Sequence, residues 1–224
     1  MLTTYVDQVQ RLLHNVTGTL YVESDLVAYV NDARKQVAQE GQCIRALAST
    51  TLSSGTNNFP LSLLTFNPST GIQTAIETRS ILANGKWVQP RNWEWFTLYC
   101  LGNSDQSATL STWSQFGDGV NALVYVWPVP NVNQSLTMDV ACFPIDLGSN
   151  ADVEAIPFPW QRAVKYWAAY LAFLGVMRNA DAENMKNEYE KMMVSARMQT
   201  RATVLPGNFN ADWAVGGGER GSPQ

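Results

Sequence analysis

Apolar residues recur at spacings of three and four near both ends of this chain, and at every second position between. Val6, Val9, Leu13 and Val16 make one helical stripe, with Thr4 placed as an N-cap, Asp7 three residues on, and Gly18 as the stop. Ser24 and Asp25 open a second helix. Its stripe is Leu26, Val27, Val30, Ala33 and Val37, and Gly41 stands where a C-cap glycine belongs. The short link at 19–23 makes the two a helical hairpin. From Cys43 to Leu147 the period is two. Ile72, Thr74, Ile76, Thr78 and Ser80 alternate along one strand, and 122–127 and 136–143 are two more. Asn84-Gly85 predicts a tight hairpin, Gly117-Asp118-Gly119 another turn, and 91–101 a short helix. Such spacing suggests a small sandwich or barrel.

Prolines punctuate 144–159, and helical periodicity then returns. Trp160, Val164, Trp167, Leu171 and Leu174 mark a third helix that is apolar almost all round, which places it centrally. Asp181 caps a fourth, with Met185, Tyr189, Met192 and Ala196 aligned and Glu183–Lys186 and Glu188–Lys191 as surface pairs. After Thr200 regularity ends. Leu205, Phe209 and Trp213 are spaced by four in a stretch that also holds Pro206 and Gly216, Gly217 and Gly218. Two readings fit these apolar anchors: a partner orders the tail, or the tail folds back on its own helices.

Composition narrows the function classes. The 224 residues are 46% hydrophobic and 15% charged, with 8 Trp, 8 Tyr and 8 Phe. Most of that aromatic area belongs in a core, and the rest suits an interface. The net charge of −4 argues against a DNA-binding face. Residues 1–155 hold 7 Lys/Arg against 13 Asp/Glu, a balance of −6, and residues 156–224 hold 8 against 6, a balance of +2. Arg34-Lys35 is the one adjacent basic pair. Trp93 and Trp95 flank Glu94, which favours packing over base stacking. Cys43, Cys100 and Cys142 are too scattered for a disulfide framework or a zinc site, and His14 is the single histidine. No metal and no cofactor is expected. The N-terminus lacks a signal-peptide pattern. The longest apolar run, at 167–176, is about half a membrane span.

No G-x-S-x-G elbow, P-loop, G-x-G-x-x-G or H-E-x-x-H motif occurs. His14 lies beside an apolar stripe and reads as structural. Carboxylates suited to paired acid chemistry are Asp7, Glu23, Asp25, Glu94 and Asp118, and caps or turns explain most of them. The expectation is a protein without enzymatic activity.

Two stretches carry a resemblance. One is VDQVQRLLHNVTGTLYVESDLVAYVNDARKQVAQEGQCIR, residues 6–45. The other is VYVWPVPNVNQSLTMDVACFPIDLGSNADVEAIPFPWQRAVKYWAAYLAFLG, residues 124–175. With its strand, Pro-x-Pro-Asn turn, strand, Pro-x-Asp-Leu and Pro-led helix, the chain resembles the head-to-tail adaptor proteins of tailed bacteriophages. Residues 51–114 lie outside the resemblance. It implies an α+β fold in which the N- and C-terminal helical pairs form a four-helix bundle. That bundle carries an inserted antiparallel β-sandwich or barrel domain and ends in an extended C-terminal tail. The units would be a helical hairpin at 1–42, the β domain at 43–155, further helices at 156–201 and an arm at 202–224. The resemblance further implies a virion protein at the portal vertex, assembled in the host cytoplasm as a ring of twelve copies. It would contact the portal protein above and a tail or nozzle protein below. Genomic double-stranded DNA would pass through the lumen without sequence-specific binding, and no membrane would be involved. Leu205, Phe209 and Trp213 would then be the portal-docking residues. Two other readings stay open: another tail-completion or nozzle subunit, and a cell-wall-degrading hydrolase.

Overall fold

The computed structural model describes residues 1–14 and 21–204, and side chains as far as Thr200. The order is α1 (Leu2–Leu12), α2 (Glu23–Gly41), β1 (Arg45–Leu52), β2 (Asn58–Pro60), β3 (Ile72–Ala83), β4 (Lys86–Pro90) and α3 (Trp93–Tyr99). There follow β5 (Gln106–Ser107), β6 (Thr112–Phe116), β7 (Leu123–Trp127), β8 (Val129–Pro130), β9 (Gln134–Pro144), α4 (Gln161–Gly175) and α5 (Asn179–Val204).

Seven strands form one sheet in the order β1-β9-β3-β4-β6-β7-β2, and β5 pairs with β8 apart from it. β1 and β2 are consecutive in the chain yet sit at opposite ends of that order. The short loop between them brings the two edges near each other and leaves the sheet nearly closed. Gly55 N–H on this loop donates to Pro130 C=O at 2.7 Å. All pairs are antiparallel except β4 with β6 and β5 with β8. A parallel pair needs a long crossover, and the stretch from Arg91 to Ser111, containing α3, supplies it.

The expected four-helix bundle with an inserted antiparallel β domain is not what forms. Helices and sheet bury one continuous core. It runs from Val6, Val9 and Leu26 through Val140, Met138 and Leu136 to Val124 and Phe59. The N- and C-terminal helices do not close on themselves as two pairs. They layer around α4 and lie against β9 through α2. The sheet is mixed and nearly closed rather than an antiparallel sandwich. The physical reason is visible in β9, where Val140, Ala141 and Cys142 are all buried. Both faces of that strand are covered, which uncouples the sequence from simple alternation.

Local expectations are corrected in the same way. α1 begins at Leu2 with Met1 as N-cap, so Thr4 lies inside the helix. α2 has no side-chain cap, and its left-handed cap residue is Gln42 (φ 44°) rather than Gly41. Gly41 is required for another reason: a Cβ there would lie 2.6 Å from the Trp160 ring. In β3, three register shifts against β9 break the two-residue period, so that Ala75 and Ile76 are both buried. The Asn84-Gly85 turn forms as expected, with φ of 49° and 79°. Ser135 N–H bonds back to the Asn84 carboxamide at 3.0 Å. The buried face of α4 is Ala163, Val164, Ala168, Ala169, Ala172 and Phe173, while Leu174 is exposed. Small alanines let neighbouring helices approach closely. On α5 the buried residues are Ala182, Tyr189, Met193 and Ala196. The helix continues to Val204, beyond the expected end.

Candidate functional site

The most constrained polar cluster lies where α2 meets the connector between β9 and α4. Arg34 is fully buried on α2. Its Nε and Nη2 donate to the two Glu154 carboxylate oxygens, each at 3.0 Å. Its Nη1 donates to Ile145 C=O at 2.6 Å and to Asn31 Oδ1 at 3.2 Å. Asn31 in turn clasps Leu147, donating to its C=O at 3.1 Å and accepting from its N–H at 2.8 Å. Glu154 also accepts from Ile156 N–H at 2.9 Å. Arg34, Asn31 and Glu154 all have partners, which is the condition under which a buried ion pair is tolerated. Tyr5 sits beside it. Burial first, and the Glu154 carboxylate second, push its phenol well above the usual range. The arrangement positions chain segments; nothing in it is poised to move a proton.

In the sequence Arg34 stands out only as half of the one adjacent basic pair, Arg34-Lys35, which gives no hint of this cluster. The overlooked signal is spacing. Arg34 stands four residues after Val30 and three before Val37, on the buried stripe. Lys35 points outward and pairs with Asp146 at 2.7 Å.

The other sequence candidates scatter. His14 is exposed just past α1, and Asp7 is exposed on it. Glu23 and Asp25 occupy the first turn of α2, and Glu94 that of α3. Asp118 is exposed between Gly117 and Gly119, both at positive φ. Trp93 packs against Phe116 and Tyr125 at ring distances of 4.8 and 5.0 Å. Trp95 carries the Arg91 guanidinium 4.6 Å above its ring. Burial pushes the Cys43 and Cys142 thiols up to about 12. Cys100 is raised as well, again mainly by burial. None is therefore set up as a thiolate nucleophile at neutral pH. Among the described residues no group of three or more His, Cys, Asp or Glu side chains is placed to hold a metal ion. No helix among them is long and apolar enough to cross a membrane. Leu205, Phe209 and Trp213 lie outside the described residues.

A second polar locus is a cleft of about 300 Å³ on the sheet, between β3, β6 and the start of α3. Asp118 and Trp93 both line it; none of the other carboxylate candidates does. Compared with known protein families and with curated proteins, the chain matches none of them.

Proposed function

We propose that this chain is a structural virion protein, a head-to-tail adaptor that joins the portal of a tailed phage to its tail. The supporting observation is how the two stretches that carry the resemblance sit together. Residues 6–45 and 124–175 are far apart in sequence, yet they pack on one another. α2 lies on β9 and α4. Arg34–Glu154 and Asn31–Leu147 lock them through buried polar bonds. β1 starts its pairing with β9 at Arg45 and Ala141. The likeness therefore falls on one connected unit rather than on two unrelated fragments. Both cations of the adjacent basic pair are engaged with carboxylates, which suits a surface past which DNA slides without sticking.

In this role the chain forms a ring, bound to the portal on one side and to a tail or nozzle protein on the other, with DNA passing through the lumen. The test is reconstitution. The full chain is mixed with portal-containing heads, and occupancy and symmetry at the portal vertex are read by electron microscopy. A ring seen only with portal present supports the adaptor. Tubes formed by the pure protein would instead mark a tail or nozzle subunit. Hydrolysis of purified cell wall, lost on changing a single carboxylate, would overturn the structural reading altogether.

A further inference from the structure

Among the described residues five buried side-chain polar atoms lack a hydrogen bond; Tyr5 Oη and Trp127 Nε1 lie elsewhere, and three fall at one place. Thr78 Oγ1, Trp113 Nε1 and Ser114 Oγ all lack a partner, and all three residues line the cleft between β3 and β6. Their residues are 3%, 5% and 1% exposed. Native proteins satisfy nearly all such atoms, so three around one cleft require an explanation.

The topology supplies half of it. β3 pairs with β9 along its length but with β4 only from Ile81 to Ala83. β6 pairs with β4 only at Thr112 and Trp113. Between these contacts the sheet is split, and β3 near Thr78 faces β6 near Ser114 with no ladder joining them. Gln115 fills the split with its side chain. Its Oε1 accepts from Thr78 N–H at 2.8 Å, and its Nε2 donates to Gly117 C=O at 2.9 Å. A half-exposed carboxamide thus stands in for the missing strand pairing.

Chemistry supplies the rest. The strong charges around the cleft are mixed, with Arg91 against Glu77 and Asp118, so neither a simple anion nor a simple cation is favoured. Arg91 already rests on Trp95 and donates to Gln89, and Glu77 accepts from Gln42. The Asp118 carboxylate stands exposed at the edge of the cleft, and the buried groups without a partner are neutral: two hydroxyls, which donate and accept, and one indole N–H, which donates. Trp93 adds an apolar wall. A ligand that matches this set is uncharged, presents several hydroxyls and has a C–H face. The volume is that of a small-ligand site.

We infer that this cleft binds a neutral saccharide unit, which enters as the Gln115 side chain turns outward and pairs its hydroxyls with Thr78, Trp113 and Ser114. The site does not depend on the adaptor reading.

The indole N–H resonance of Trp113 in the full chain, identified by its loss in Trp113→Phe, reports on the cleft. The protein is titrated with glucose, galactose, N-acetylglucosamine and the β-linked tetramer of N-acetylglucosamine. The expected result is a saturable shift with at least one sugar, with Kd on the order of 1 mM for a single unit. Tighter binding of the tetramer identifies a glycan chain as the natural source, and equal binding a free sugar. Thr78→Val and Ser114→Ala should each weaken binding roughly tenfold, while leaving the melting temperature unchanged or raised, because each removes an unpaired buried group. Gln115→Ala, on the rim, should bind at least as well as the parent. A Trp113 resonance unmoved by every sugar would mean a cleft that holds water only, and would overturn the site. So would affinity that is unaffected by Thr78→Val and Ser114→Ala, or abolished by Gln115→Ala.

Discussion

Arg34 and Glu154 meet through two parallel 3.0 Å hydrogen bonds, with the guanidinium fully buried and the carboxylate side chain only 5% exposed. They come from α2 and from the connector ahead of α4, 120 residues apart. One bond pair therefore fixes how the first helices sit on the second half of the chain. Glu154→Gln keeps the shape but leaves a buried cation without its counter-charge. It should cost about 3–5 kcal/mol in urea unfolding, whereas Arg34→Met with Glu154→Leu should cost far less, because no charge is then stranded. Equal losses in the single and double variants would show that shape rather than charge governs this contact.

Gly41 and Trp160 form a second such joint. The glycine is the last residue of α2, and the Trp160 ring lies over its Cα. Trp160 Nε1 donates to the Thr200 hydroxyl at 3.0 Å, which extends the joint to α5. Gly41→Ala places a methyl where the ring now is, so overpacking should lower stability by about 1–3 kcal/mol. Combining it with Trp160→Leu should recover part of that loss, a coupling that a double-mutant cycle reads directly. Additive losses would mean that the ring shifts aside freely.

Stability should fall on the alkaline side. The Cys43 and Cys142 thiols are raised to about 12 in the folded chain, chiefly by burial. Unfolded, they would titrate near 8.5. Between these values the native state holds more protons than the unfolded state, so stability decreases as pH rises. Each thiol contributes a slope of about 1.4 kcal/mol per pH unit in that window. Below the unfolded value the contribution is fully present. Melting temperature followed from pH 8 to pH 11 should drop, and Cys142→Ala should flatten the drop. An unchanged slope in that variant would place the alkaline loss elsewhere, with Tyr5 and Tyr189 the next groups to test.

Short-range chemistry was legible in the sequence, and long-range closure was not. Asn84-Gly85 needs positive φ at both positions, and only a few residue types supply it, so the turn could be read directly. The apolar stripes of α2 and α5 were equally plain. The parallel pairing of β4 with β6 was invisible because nothing local encodes it. It follows from the crossover through α3, and a short helix between turn signals carries no mark of a crossover. Gly41 is not the C-cap that its type and position suggest but the last helical residue, and its close approach to Trp160 leaves no trace in neighbouring residues. Arg34 shares the buried stripe with Val30 and Val37, but a charged residue at such a position does not reveal the distant carboxylate that pairs with it. The cleft between β3 and β6 had no sequence signal at all. Thr78, Trp113 and Ser114 are ordinary strand residues until the sheet splits beside them.

Under the adaptor reading, the segment after Val204 is the portal-docking arm. α5 runs without a break to Val204, so truncation there spares the helix and the core beneath it. The removed residues include Leu205, Phe209 and Trp213, three apolar side chains in a polar, glycine-rich stretch. Burying each against a partner would yield about 1.5–3 kcal/mol before the cost of ordering the chain. That cost consumes much of the gain, so a single arm binds weakly. A ring engages many arms at once, and effective concentration turns weak docking into firm attachment. The truncated chain should therefore melt like the parent yet fail to join portal-containing heads. Trp213→Ala should reduce occupancy more than Arg220→Ala, because it removes the largest apolar surface. Normal occupancy of the truncated chain would move the docking surface onto the helices and remove the arm from the attachment.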